Sequence, residues 1–207
     1  VSKGDIAFYV TGPSRSILTA ERLVLNFMQR MSGIATLTYK FVQAVEGYKV
    51  KILDTRKTTP GLRFFEKMAV RIGGGSNHRF GLFDMIMIKD NHIDFSGSIE
   101  KAIDNVQAYL KEKNLDLKVE IETRNLAEVQ RVLDKGGVDR IMLDNFSYGD
   151  IRTAVRMINK RYETEASGNV RLETVREYAS TGVDFISSGQ ITHSAVALDL
   201  SLKSVGE

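Results

Sequence analysis

The sequence has no cysteine, which excludes disulfides, thiolate metal sites and cysteine nucleophiles. Histidine is scarce: His78, His92 and His193 are the only three, and they lack the close pairing of zinc ligands. Both prolines sit in turn-like contexts, Gly12-Pro13 and Thr59-Pro60-Gly61. No run approaches the roughly 20 apolar residues that a membrane-spanning helix needs. Residues 1–20 show no basic-then-apolar leader pattern. The dinucleotide fingerprint and the phosphate-loop motif are both missing, as is any nucleic-acid-binding module. These absences set the expectation of a cytoplasmic protein with neither membrane nor nucleic acid as a partner.

What remains is ordinary for a globular domain: 207 residues, 43% hydrophobic and 27% charged. That length accommodates one large domain, or one domain plus a remnant. The chain opens on Val rather than Met, and we expect the natural protein to extend further towards its N-terminus. The net charge is only +3, but its distribution is uneven. Seven cations (Arg56, Lys57, Arg63, Lys67, Arg71, Arg79 and Lys89) face two acids, Glu66 and Asp84, between residues 56 and 89. A solvated basic face is the ordinary meaning of such a cluster; an anion-binding site is the other.

Residues 5–10 read as a short strand ended by Gly12-Pro13. Residues 18–47 carry helical spacing through Leu23, Phe27, Met31, Ile34, Phe41 and Val45, with Ser32-Gly33 as a break point between one or two helices. The chain then alternates. Apolar runs at 50–53, 85–88, 117–121, 140–143 and 184–186, and a weaker one at Val170-Arg171-Leu172, are separated by helical stripes. One stripe comprises Ile99, Ala102, Ile103, Val106 and Leu110. Another comprises Leu126, Val129, Val132 and Leu133, behind an Asn125/Glu128 capping-box spacing. A third, Val175, Tyr178 and Ala179, stops at Gly182. Strand–helix alternation implies a parallel sheet. Five runs end in charged or hydrogen-bonding residues: Asp54, Lys89-Asp90, Glu122-Thr123, Asp144-Asn145 and Ser187-Ser188. An α/β barrel gathers all such ends on one face, whereas an open sheet places ligands mainly at one switch point. The pattern favours the barrel.

Three segments carry candidate chemistry. Asp54-Thr-Arg-Lys-Thr-Thr-Pro-Gly-Leu-Arg63 offers an arginine fork for a carboxylate and a lysine point charge for a phosphate, or else is a charged loop. Gly73-Gly-Gly-Ser-Asn-His78-Arg79 is a turn that lets backbone approach an anion closely, or else a connector. Lys89 after an apolar strand is an anion ligand or a partner for Asp90. Glu122 and Asp144 end neighbouring strands and could bind Mg²⁺ or ribose hydroxyls or stabilise positive charge; salt bridges are the alternative. Ser167-Gly168-Asn169 and Ser188-Gly189 are small turns near helix starts, where phosphate is attracted.

Taken in order, Thr19-Ala-Glu-Arg-Leu-Val-Leu-Asn26, Ser32-Gly-Ile-Ala-Thr36, the 54–63 segment, Gly73–Leu82, Ile88-Lys-Asp-Asn-His92 and Leu143-Asp-Asn-Phe146 closely resemble the quinolinate phosphoribosyltransferase family, from about residue 4 to the C-terminus. The resemblance implies an α/β fold: a parallel barrel with fewer strands than the usual eight (an incomplete TIM-like barrel), here residues 18–207 with a C-terminal helix. Residues 1–17 are then the remnant of an N-terminal open-faced sandwich domain. It implies that Arg56, His78, Arg79 and Lys89 hold the two quinolinate carboxylates, and that Arg22 is donated by the second subunit of a homodimer that shares its sites and can build a higher oligomer. Lys57, Glu122 and Asp144 would act at the phosphoribosyl pyrophosphate and its Mg²⁺. Ser167, Gly168, Asn169, Ser188, Gly189 and His193 would bind phosphate, with Asn169 standing where the family has Gly. Two other readings stand beside this one. One is a paralogous barrel acting on another substrate, such as the homologue of molybdenum-transport operons. The other is a non-catalytic anion-binding barrel.

Overall fold

The structure, a computed structural model, describes residues 1–205. Its helices are α1 (Ser14–Ala44), α2 (Arg63–Ile72), α3 (Asp90–Ser96), α4 (Ile99–Lys113), α5 (Leu126–Lys135), α6 (Tyr148–Ile158), α7 (Val175–Ala179) and α8 (Gln190–His193). Its strands are β1 (Lys51–Leu53), β2 (Ile86–Ile88), β3 (Val119–Thr123), β4 (Arg140–Asp144), β5 (Glu163–Ser167) and β6 (Phe185–Ser187). All pair in parallel, in the order β1-β6-β5-β4-β3-β2.

That order places the first strand beside the last, and side-chain distances show that the sheet curls into a barrel. Neighbouring strands lie about 4.8 Å apart, so in a flat sheet β1 and β3 would stand ~19 Å apart. Yet His78, from the segment beside β1, Glu120 on β3 and Glu165 on β5 bring one ligand atom each to within 4.8 Å of one another. The wall stays open at one seam, between β1 and β2. Ser76 bridges to β1, its N–H donating to the Ile52 carbonyl at 2.8 Å and its carbonyl accepting from the Asp54 N–H at 3.2 Å. Across the rest of the seam reaches the Arg79 side chain, which donates to the Met85 carbonyl at 3.4 Å.

Strand alternation divides the residues into two sets. Ile52, Ile88, Val119, Ile121, Ile141, Leu143, Ala166 and Ile186 face the helices and meet Ile103, Val129, Ile151 and Val175 in one apolar core. The alternate positions, among them Glu120, Glu122, Arg140, Glu165 and Ser187, fill the barrel interior. The apolar core is thus a ring between strands and helices, and the barrel's centre is polar.

Several expectations are corrected. Residues 5–10 form no strand; they run exposed, with Phe8 and Val10 half in solvent, because no neighbouring strand pairs with their amides. The first helix is continuous through Ser32-Gly33 and begins at Ser14, so the domain boundary expected at 17/18 falls inside its first turns. The weak strand at 170–172 is not formed, and its place in the wall is taken by β5, which ends three residues earlier. The expected C-terminal helix is the single turn α8, after which residues up to 205 have neither helix nor strand. The α5 cap is as the spacing suggests on one side, since Asn125 Oδ1 accepts the Glu128 N–H at 2.9 Å; the Glu128 carboxylate instead accepts the Arg124 N–H at 2.8 Å.

Gly33 tolerates the continuous helix because it is a point of close approach. A Cβ there would lie 2.1 Å from the Val196 carbonyl oxygen. Residues 195–200 strap across α1 at this point, the Leu198 N–H donating to the Gln29 carbonyl and Gln29 Nε2 to the Leu200 carbonyl. Gly33→Ala is therefore expected to lower stability by about 1–3 kcal/mol through overpacking. Denaturant unfolding of the full-length protein measures it, and an unchanged midpoint would contradict the contact.

Candidate active site

At the C-terminal ends of the strands the barrel opens into a cavity of about 840 Å³. Every site residue expected from the sequence lines it except Arg22: Arg56, Lys57, His78, Arg79, Lys89, Glu122, Asp144, Ser167, Gly168, Asn169, Ser188, Gly189 and His193. Arg22 is exposed on α1, outside this cavity. Thr55, Asn145, Arg171, Glu173 and Gln190 also line it and were missed. Arg171 had no legible signal, because it sat inside the run misread as a strand.

The 54–63 segment is held from below. Asp54, fully buried, pairs through Oδ1 with Lys67 Nζ at 2.5 Å and with the His78 N–H at 2.8 Å, and through Oδ2 with Asn77 Nδ2 at 2.6 Å. Lys67 Nζ also donates to the His78 carbonyl at 2.9 Å. This buried pair fastens the glycine-rich turn to the end of β1. Burial pushes the Asp54 carboxyl up and the Lys67 ammonium down, while their mutual attraction opposes both shifts. Glu66, also buried, accepts from Arg30 on α1 at 2.8 Å and from the Thr59 N–H at 3.1 Å, anchoring the loop that carries Arg56 and Lys57. Lys67 and Glu66, read as members of a solvated basic face, are structural.

Above this foundation, Arg56 and Arg79 face the same space. The Arg56 guanidinium has no hydrogen-bond or ion-pair partner among the described residues. Burial and then the charge of Arg56 hold Arg79 below its ordinary value, though arginine stays protonated at any physiological pH. Arg56 is exposed and Arg79 half-buried; two like charges brought together call for an anion between them. At the end of β2, Lys89 Nζ pairs with Glu122 Oε2 at 2.9 Å rather than with Asp90. The alternative of a pair with Asp90 is not realised: Asp90 Oδ1 accepts the Asn91 N–H at 2.7 Å. His92 caps α3, its Nδ1 accepting the Lys89 N–H at 2.9 Å.

The small turns converge on the far side. Gly189 lets Lys57 and His193 meet: a Cβ there would lie 2.9 Å from the His193 ring and 3.1 Å from the Lys57 chain. Gly168 and Asn169 both have positive φ, 94° and 52°. Asn is one of the side chains that tolerate this region, so the departure from Gly at 169 keeps the backbone path. Two corrections apply. Ser188 is buried and its hydroxyl donates to the Val170 carbonyl at 2.7 Å, so its side chain is committed to the wall. Residues 167–169 do not adjoin a helix start, since α7 begins only at Val175.

Two carboxylate sets could be weighed for a cation. Glu122 and Asp144 present hard oxygen donors to the cavity from adjacent strands, a donor type that suits Mg²⁺ completed by water and substrate phosphates. The His78–Glu120–Glu165 cluster lies beneath the cavity, but Arg140 Nη1 already reaches Glu165 Oε2 at 2.9 Å and supplies the countercharge there. His78 differs from its expected role. The residue lines the cavity but is only 8% exposed, and its Nε2 faces the barrel interior. Nδ1 accepts the Arg79 N–H at 2.6 Å, and Nε2 lies 3.0 Å from Glu120 Oε2. Glu120, Arg140 and Glu165 are not among the residues singled out from the sequence.

A family model, the C-terminal domain of quinolinate phosphoribosyl transferase, matches residues 34–203. The chain belongs to the quinolinate phosphoribosyltransferase family. It is 56% identical over 217 aligned positions to a decarboxylating quinolinate phosphoribosyltransferase of Nicotiana glauca, covering 98% of this chain and 61% of that one. It is 46% identical to a probable carboxylating nicotinate-nucleotide pyrophosphorylase of Bacillus subtilis, covering 97% of this chain and 68% of that one. Among solved structures, NadC of Streptococcus pyogenes superposes with a TM-score of 0.87 at 48% identity, over 93% of this chain and 66% of that one. A Pyrococcus furiosus nicotinate-nucleotide pyrophosphorylase, at 18% identity and a TM-score of 0.69, shares the fold. The chain spans about three fifths of the length of the plant relatives it matches. Among the described residues, no helix is long and apolar enough to cross a membrane.

Proposed function

We propose that the cavity takes quinolinate and phosphoribosyl pyrophosphate and yields nicotinate mononucleotide, pyrophosphate and CO₂. The observation that carries this reading is the placement of Arg56, Arg79, Lys57 and Lys89 around one cavity that also holds Glu122 and Asp144. Quinolinate is a dianion, and its co-substrate bears a phosphate and a pyrophosphate. Holding them together requires cations on several walls, and the barrel supplies them from β1, the seam and β2.

In this reading Arg56, Arg79 and Lys89 bind the two carboxylates and aim the pyridine nitrogen at the ribose C1. The N–C1 bond forms as the C1–O bond to pyrophosphate breaks. Positive charge develops on the ribose ring, and Glu122 and Asp144 stabilise it. The same two carboxylates would hold Mg²⁺, which supplies charge neutralisation for the leaving pyrophosphate. Lys57, Ser167 and the 168–169 and 188–189 backbone, with His193, bind phosphate. The carboxylate beside the now quaternary nitrogen leaves as CO₂, its bonding electrons are stabilised by that nitrogen, and the ring carbon takes a proton.

A second copy of the chain completes the site in this reading. Arg22 is exposed on α1, as are Leu18, Leu23 and Val24, and Phe64, Met68 and Ile72 are exposed on α2. Apolar side chains flanking a cation suit a subunit interface that delivers Arg22 to a neighbour. For the compartment we keep the cytoplasm, to be decided by fractionation, since plant relatives include proteins named chloroplastic and mitochondrial.

The deciding experiment gives the full-length protein quinolinate, phosphoribosyl pyrophosphate and Mg²⁺. Stoichiometric CO₂ and nicotinate mononucleotide are expected, with loss of turnover on chelation. Acceptance of nicotinate without CO₂ release would overturn the substrate. Absence of any phosphoribosyl transfer would favour the non-catalytic anion-binding reading.

A further inference from the structure

The barrel interior holds a stack of charge that the proposed chemistry does not use. The Arg140 guanidinium lies 3.9 Å from the centre of the Phe185 ring. It also pairs with Glu163 at 3.0 Å and with Glu165 at 2.9 Å. Beside them come Glu120 and the ring of His78, whose Nε2 stands 3.0 Å from Glu120 and 3.5 Å from Glu165. Glu120 and Glu165 are fully buried, and neither Glu120 oxygen, Glu165 Oε1 nor His78 Nε2 makes a well-aligned hydrogen bond among the described residues. A buried carboxylate is costly unless something answers it, and His78 Nε2 is the group aimed at this one.

The other ring nitrogen fixes the proton. Nδ1 accepts the Arg79 main-chain N–H at 2.6 Å, so it carries no hydrogen, and the neutral ring has its proton on Nε2, facing the carboxylates. Neither nitrogen is left to meet a substrate carboxylate. The groups around the ring come from five elements: Glu120 on β3, Arg140 on β4, Glu165 on β5, Lys67 on α2 and Arg79 beside it in the seam. Burial, the leading influence, holds His78 below the ordinary histidine value, which agrees with a neutral ring.

We propose that His78 is a strut rather than a substrate ligand: Glu120 and Glu165 hold its Nε2–H from beneath the cavity, and its Nδ1 holds the backbone N–H that aims Arg79 across the seam. Glu120 and Glu165 are then positioning residues for Arg79. This deepens the functional reading above and rests on it where quinolinate is concerned.

The tautomer tests the strut without substrate. On the full-length protein labelled with ¹⁵N-histidine, the His78 signals are assigned as those that disappear in His78→Asn. His78 is expected as the neutral Nε2–H form, and to stay so when quinolinate is added. A proton appearing on Nδ1, in the free protein or on addition of quinolinate, would overturn the proposal. A variant cycle tests the coupling. His78→Asn keeps an oxygen near the Nδ1 position and is expected to hold quinolinate within about twofold, whereas His78→Ala loses about fivefold or more, the loss of one ordinary hydrogen bond of about 1 kcal/mol. On an Arg79→Ala background, His78→Ala is expected to add less than about twofold. Additive losses would mean that His78 contacts quinolinate directly. If the protein binds no quinolinate at all, the functional reading falls, while the tautomer in the free protein still decides the strut.

Discussion

Arg56→Ala in the full-length protein is expected to raise the KM for quinolinate by about 30-fold or more and to leave the KM for phosphoribosyl pyrophosphate within about threefold. Removing one member of a desolvated charge pair costs roughly 2–5 kcal/mol, and each 1.4 kcal/mol is tenfold. The geometry explains the selectivity. The Arg56 guanidinium is free of protein partners among the described residues, so the substrate itself must answer its charge. Arg79, crowded by Arg56, relaxes when its neighbour is removed, so protein stability is expected to hold or rise slightly. Steady-state kinetics with each substrate varied in turn checks the split. An equal rise in both KM values would show that Arg56 shapes the cavity instead of holding one ligand.

Lys67→Met is expected to destabilise the protein by about 3–5 kcal/mol, because it removes the countercharge from a carboxylate that has no exposure to water. Asp54 would keep its bonds to Asn77 and the His78 N–H but lose its cation. Chemical denaturation of the full-length protein measures the loss, and a change below about 1 kcal/mol would mean that Asp54 is neutral in the wild type. Replacing both partners, Asp54→Asn with Lys67→Met, is expected to recover part of the loss, since breaking a buried pair costs more than replacing it.

The sequence made the outer half of the fold legible and hid the inner half, for one physical reason. Ile121, Ile141, Leu143 and Ile186 face the helices, and their apolar signal located β3, β4 and β6. The strand-end residues Lys89, Glu122 and Asp144 could be assigned to one cavity because parallel strands point the same way. β5 was lost because its outward positions are Thr164 and Ala166 while its inward ones are Glu163, Glu165 and Ser167. A strand polar on its buried side reads as a loop. His78 showed the converse difficulty: a histidine after three glycines looks like a ligand, and only the distances to Glu120 and Glu165 reveal what it serves. The continuity of α1 through Gly33 was likewise illegible, because the contact that requires glycine comes from Val196, 163 residues later in the chain.

The seam between β1 and β2 gives the barrel a soft direction. Everywhere else the wall is stitched by backbone ladders, which resist stretching. Here the span to β2 is made by the Arg79 side chain, and side chains change rotamer far faster than ladders break. Widening the seam would be met by the Arg79 side chain alone, without disturbing any strand pair. Amide exchange along the free edge of β2 should therefore slow when a dicarboxylate binds, while exchange in β4 and β5 stays as it was.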